Sequence, residues 1–220
     1  MEFQVSRSRF ISKTLLLMAV GLLVTFGTGY MITNYVYYLS NGVMLAAMAA
    51  ELGIVFYLRA RVAKMNPSTA VMWFLIYSAV SGITFGTVFI AYDLSTLLIA
   101  FITAAVMFFS SGMIGMTTKK DLSTLSRFLM MALIGLLAVS LIQIFVPLSG
   151  MNKGISIIGM LVFAGFTAYD MQMIKNVHEN AYNMDPNDVS RFVTVAALAL
   201  YLDFINIFLY LLRFASNADD

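Results

Sequence analysis

The chain alternates between long uncharged apolar runs and short polar islands. A membrane-spanning helix needs roughly 20 apolar residues at about 1.5 Å of rise each. Seven segments meet that requirement: Lys13–Tyr35, Gly42–Arg59, Thr69–Ala91, Ser95–Met116, Ser126–Val146, Gly154–Lys175 and Phe192–Phe214. The pattern predicts an all-α integral membrane protein with seven transmembrane helices in a single domain over residues 1–220. The longest connection, about Asn176–Arg191, reads as a short polar loop. Asn66-Pro67 and Asp185-Pro186 put a capping residue before a proline, a helix-start pattern. Pro147 is expected to close the fifth helix. The first apolar run follows Arg7, Arg9 and Lys13 and lacks a small-residue cleavage site, so it reads as a retained helix.

Composition agrees. The 220 residues are 61% hydrophobic and 11% charged, with mean hydropathy +0.89, whereas soluble domains carry about a quarter charged residues. With no cysteine, disulfides, thiolate catalysis and cysteine metal sites are excluded; with His178 the sole histidine, so is a histidine-cluster metal site. Basic residues set orientation. Arg7, Arg9, Lys13, Arg59, Arg61, Lys64, Lys119, Lys120, Arg127, Lys175 and Arg191 fall on one side, and Lys153 and Arg213 on the other. This predicts a cytoplasmic amino terminus and an external carboxyl terminus. Small residues at Ser78, Gly82 and Gly86, and at Gly112 and Gly115, have the spacing of close helix contacts, read as plain packing.

Three ionisable residues lie inside spans: Glu51, Asp170 and Asp203. Such groups are costly in hydrocarbon and face a cavity or a partner. Asp170 is expected near the inner end of the sixth helix, within pairing reach of Lys175, and Asp203 about eleven residues into the seventh. Consecutive antiparallel helices can bring the two together in the inner half of the bilayer. Two carboxylates in low dielectric cannot both ionise cheaply, so they would share a proton and titrate as a pair. Loss of that proton would leave a site suited to Ca²⁺, which takes oxygen ligands. Asn206, Tyr210 and Arg213 continue a polar stripe from Asp203 at helical steps. Glu51 could line the same path or simply bond a neighbouring helix. Arg59 and Arg61 end the second helix at the expected level of Asp170, where an arginine–aspartate latch is geometrically allowed.

Three segments, "TTKKDLSTLSRFLMMALIG" (Thr117–Gly135), "FTAYDMQMIKN" (Phe166–Asn176) and "LALYLDFINIFLYLLRF" (Leu198–Phe214), resemble the transmembrane Bax inhibitor motif family, most of all its bacterial YetJ-type members. The resemblance covers essentially the whole chain. It implies two three-helix layers around a central last helix and a pH-sensitive calcium leak. The family's hydrogen-bonded aspartate pair matches Asp170 and Asp203, and its latch arginine matches Arg59, with Arg61 a near alternative. The family's second-helix acid falls about one turn before Glu51, so the role of Glu51 stays open. Another bacterial branch acts on a membrane protease and lacks the last-helix acid, so Asp203 argues for the ion-conducting branch.

The expectation is therefore a passive, non-enzymatic calcium path in a bacterial plasma membrane, working as a monomer. Its partners would be lipid, calcium ions and protons, with no cofactor and no nucleic acid. The competing reading is a regulator of a membrane protease or other membrane complex that conducts no ions. An intramembrane aspartyl protease is disfavoured: such enzymes pair Tyr-Asp with Gly-x-Gly-Asp, whereas Asp203 follows Tyr201-Leu202. No phosphate-binding glycine loop is present, which disfavours ATP-driven pumping.

Overall fold

A computed structural model describes residues 7–39, 41–145, 151–180 and 185–216. Every regular element among them is helical. The order is α1 (Arg7–Ile32), a 3₁₀ turn (Thr33–Tyr38), α2 (Asn41–Arg61), a second 3₁₀ turn (Val62–Lys64), α3 (Pro67–Ala91), α4 (Leu94–Thr117), α5 (Ser123–Phe145), α6 (Asn152–Asn180) and α7 (Pro186–Ser216). Among the described residues seven helices are long and apolar enough to cross a membrane. Hydrocarbon offers no hydrogen bonds, so each span must satisfy its own backbone, and helices do this. Many large apolar side chains stay exposed, Leu16, Leu23, Phe56, Phe128 and Leu141 among them. That surface would aggregate in water and suits lipid.

Two boundaries differ from the sequence reading. The supposed polar loop over 176–191 is largely helical: α6 runs on to Asn180, and α7 begins at Pro186 rather than Phe192. Hydropathy marks the part of a helix inside hydrocarbon, and both helices extend beyond that part. Asp185 starts α7 as the Asp-Pro pattern implied. Its carbonyl accepts the amide of Val189 (3.0 Å) and its carboxylate that of Asn187 (2.8 Å). Asn66 precedes α3 in extended backbone with Pro67 in the first turn, but its side chain makes no cap bond. Pro147 lies outside the described residues.

The chain forms two compact units. The first holds residues 1–94 and 177–201, thus α1, α2, α3, the end of α6 and the first half of α7. In it α1 and α3 pack through small residues. A Cβ on Gly82 would meet Thr28 and the Thr25 carbonyl, and one on Gly86 would meet Ile32 and Val36. Tyr57 of α2 meets Trp73 of α3 edge-on, ring centres 5.1 Å apart. Arg191 on α7 donates to the Met65 carbonyl (2.6 Å) and pairs with Asp188 (2.6 Å), while Phe192 stacks on Phe10 (5.9 Å).

The second unit holds residues 95–176 and 202–220: α4, α5, most of α6 and the second half of α7. Its tightest approach is α4 on α6. A Cβ on Gly115 would overlap the Ala168 backbone, and one on Gly112 would press on Met171 (3.3 Å). Gly165 on α6 admits Leu129 of α5 in the same way. Asp121 begins α5. Its carboxylate accepts the Ser123 amide (2.9 Å) and hydroxyl (2.8 Å), and those bonds hold it below the ordinary carboxylate range. The contribution of Asp121 is thus present above its unfolded pKa and is lost as pH falls through its lower folded value.

The glycines predict a contrast. Gly115→Val forces side-chain atoms into backbone that cannot yield. It should cost about 1–3 kcal/mol or more and lower the melting temperature in detergent. Gly135, with nothing within 4 Å of an added Cβ, should accept alanine without loss. Equal melting of the two variants would contradict the close α4–α6 approach.

Candidate functional site

Asp170 on α6 and Asp203 on α7 are both in the second unit and both buried, at 9% and 5% exposure. Their levels follow from the packing of the two helices. Asn152 at the start of α6 is linked through Gln143 to Arg213 at the end of α7, so the two helices run antiparallel. Phe163 of α6 meets Tyr210 of α7 with ring centres 6.0 Å apart, and Gly159, one turn earlier, makes room for the same tyrosine. Asp170 lies seven residues on from Phe163, and Asp203 seven residues back from Tyr210. Seven residues are two helical turns, about 10.5 Å, and return to nearly the same face. The register therefore sets each acid about 10.5 Å along its own helix from the same α6–α7 contact, at about one level.

Both acids sit deeper along their helices than hydropathy implied. Asp170 is ten residues, about 15 Å, before the end of α6 at Asn180, and Asp203 is seventeen residues past Pro186. An aromatic wall adjoins Asp203: the next residue, Phe204, meets Phe101 (5.4 Å) and Phe108 (5.8 Å) of α4. Beside Asp170, Ala168 and Met171 take the close approach of Gly115 and Gly112. α4 thus meets α6 through small residues next to Asp170 and meets α7 through rings next to Asp203.

The rest of the stripe makes contacts within its own unit. Asn206 donates back to the Leu202 carbonyl of its own helix (2.7 Å). Tyr210 is half-buried against Phe163 and Gly159. Arg213 donates to the Gln143 amide oxygen (2.7 Å), and Gln143 in turn donates to Asn152 (2.9 Å), which ties α5, α6 and α7 at their far ends. Glu51, Arg59 and Arg61 belong to the first unit. Glu51 accepts a hydrogen bond from Thr84 of α3 (2.9 Å), and both arginines are exposed at the end of α2. Among the described residues no group of three or more acids, histidines or cysteines could hold a metal ion.

One residue of the region escaped sequence reasoning. Gln172, 5% exposed, clamps the α4–α5 connection with every arm of its amide. Its oxygen accepts the Leu122 amide (2.8 Å), and its nitrogen donates to the carbonyls of Lys120 (2.8 Å) and Thr118 (3.4 Å). Gln172→Leu strands three backbone groups and should cost about 1–3 kcal/mol. Hydrogen exchange checks this, since the Leu122 amide should lose protection before the helices do. Unchanged protection there would show the clamp to be dispensable.

The family model described as inhibitor of apoptosis-promoting Bax1 matches residues 7–220. The inner membrane protein YbhL of Escherichia coli is 35% identical over 205 residues, covering 91% of this chain and 88% of its own. A protein of Deinococcus radiodurans is 36% identical over 217 residues, covering 96% and 91%. A membrane protein of Streptococcus pyogenes is 36% identical over 225 residues, covering 99% and 96%. Seven apolar helices in the expected order and a family match along nearly the whole length agree: this chain is a multi-pass membrane protein of the Bax inhibitor-like family.

Proposed function

We propose that the protein is a passive, pH-sensitive path for Ca²⁺, controlled by Asp170 and Asp203. The observation that carries this reading is the pair itself: two buried carboxylates at matching level on neighbouring helices, both within one unit. Acids kept in the interior of a membrane protein mark ion and proton routes, because a merely structural contact could be made more cheaply by a neutral group. A pair that holds one proton is singly charged. Loss of that proton doubles the charge and supplies oxygen ligands for a hard divalent cation. Proton and Ca²⁺ then compete for one place. Chemistry that cleaves or transfers covalent groups is not needed. The bacterial relatives named as inner membrane or membrane proteins support a plasma-membrane location, and the basic residues flanking the first three helices support a cytoplasmic amino terminus.

The test is Ca²⁺ entry into liposomes loaded with a calcium dye, with pH stepped from about 5 to 8, a range above the ordinary carboxylate value near 4. The wild type should leak with a steep dependence on pH across that range. Asp170→Asn and Asp203→Asn should each flatten the dependence, since a single remaining acid no longer shares a proton. Entry no faster than in empty liposomes at every pH would overturn the proposal and favour a regulatory role without conduction.

A further inference from the structure

A second polar cluster lies in the first unit, on residues that the aspartate pair does not use. Glu51 stands halfway along α2, ten residues from Asn41 and ten from Arg61, and Tyr201 stands halfway along α7. Tyr77, Ser81 and Thr84 share one face of α3 at steps of four and three, and Thr25 comes from α1. Thr84 donates to the Glu51 carboxylate (2.9 Å) or to the Ser81 carbonyl (2.8 Å). The Thr25 hydroxyl and the Tyr201 phenol are 2.6 Å apart. The Ser81 hydroxyl, 3% exposed, lies beside the Glu51 carboxylate and the phenols of Tyr77 and Tyr201. It has no hydrogen-bond partner of good geometry among the described residues.

Counting protons shows what these groups offer. Thr25 has one proton, and its carbonyl partners, Ser78 (2.8 Å) and Gly21 (3.1 Å), can only accept it. The Tyr201 phenol must therefore be the donor to Thr25, which leaves its own lone pairs turned to the cluster. Thr84 likewise spends its proton on Glu51 or the Ser81 carbonyl, and its lone pairs remain. Ser81 and Tyr77 keep one proton each, which the Glu51 carboxylate can accept, so that their oxygens too leave lone pairs around it, which is the chemistry of a cation site. Charge selects the cation. Glu51 is the sole charged residue between Lys13 and Arg59, and none lies between Lys64 and Asp93 or between Arg191 and Tyr201. One positive charge would neutralise this interior, whereas a divalent ion would leave a net charge in low dielectric.

We propose that Glu51, Ser81, Tyr77, Tyr201 and Thr84 form a binding site for a monovalent alkali cation within the first unit, separate from Asp170 and Asp203. The full chain in detergent is melted in choline chloride, KCl and NaCl at matched ionic strength. Na⁺ or K⁺ should raise the melting temperature saturably over choline. Glu51→Gln should abolish that rise. Ser81→Ala removes one hydroxyl from a folded protein and should weaken the apparent affinity roughly tenfold. Asp170→Asn should keep the full response, which separates this site from the calcium proposal. The same melting in all three salts, a rise that survives both Glu51→Gln and Ser81→Ala, or a response to pH with none to the cation would each overturn the assignment.

Discussion

Hydrocarbon gives polar groups nothing to bond, and each feature of this protein answers that constraint. The backbone is satisfied by winding into seven helices. Hydroxyls are satisfied by bonding back one turn, as Thr14 does to Phe10, Ser78 to Phe74 and Thr167 to Phe163. The irregular chain between α4 and α5 is held to α6 by Gln172. Against that background a buried carboxylate is conspicuous, because an apolar residue would fill the same volume at far lower cost.

The hydrophobic effect does little to hold these helices together, since lipid is as apolar as leucine. Close approach and shape must do more. In the first unit α3 carries small residues toward α1; in the second, α4 carries them toward α6. The arrangement lets backbones come near without displacing polar atoms.

Sequence made the seven spans and the two aspartates legible for one reason: a charged letter inside an apolar run stands out without any knowledge of neighbours. The extension of α6 to Asn180 was not legible, since its last residues are polar and still helical, whereas Asp185-Pro186 did mark the start of α7. Gln172, Thr25, Ser81 and Tyr201 were not legible either. These are uncharged, common in helices, and bonded to partners remote in the chain. Thr25 and Tyr201 are separated by 176 positions and Gln172 and Leu122 by 50. Only the tertiary register reveals them. The same register, read from Phe163 and Tyr210, gave Asp170 and Asp203 a common level that helix lengths estimated from hydropathy could only approximate.

The contact between Tyr57 and Trp73 also bears on how the protein can be watched. Trp73 is the single tryptophan of the chain and belongs to the first unit. Intrinsic indole emission therefore reports the environment of α2 and α3 directly, and that of α7 only through its first half, where Tyr201 packs on Phe74 and Tyr77 of α3. The second unit holds no tryptophan of its own, and a fluorophore attached there through an introduced cysteine, which has no native thiol to compete with it, would make that unit visible.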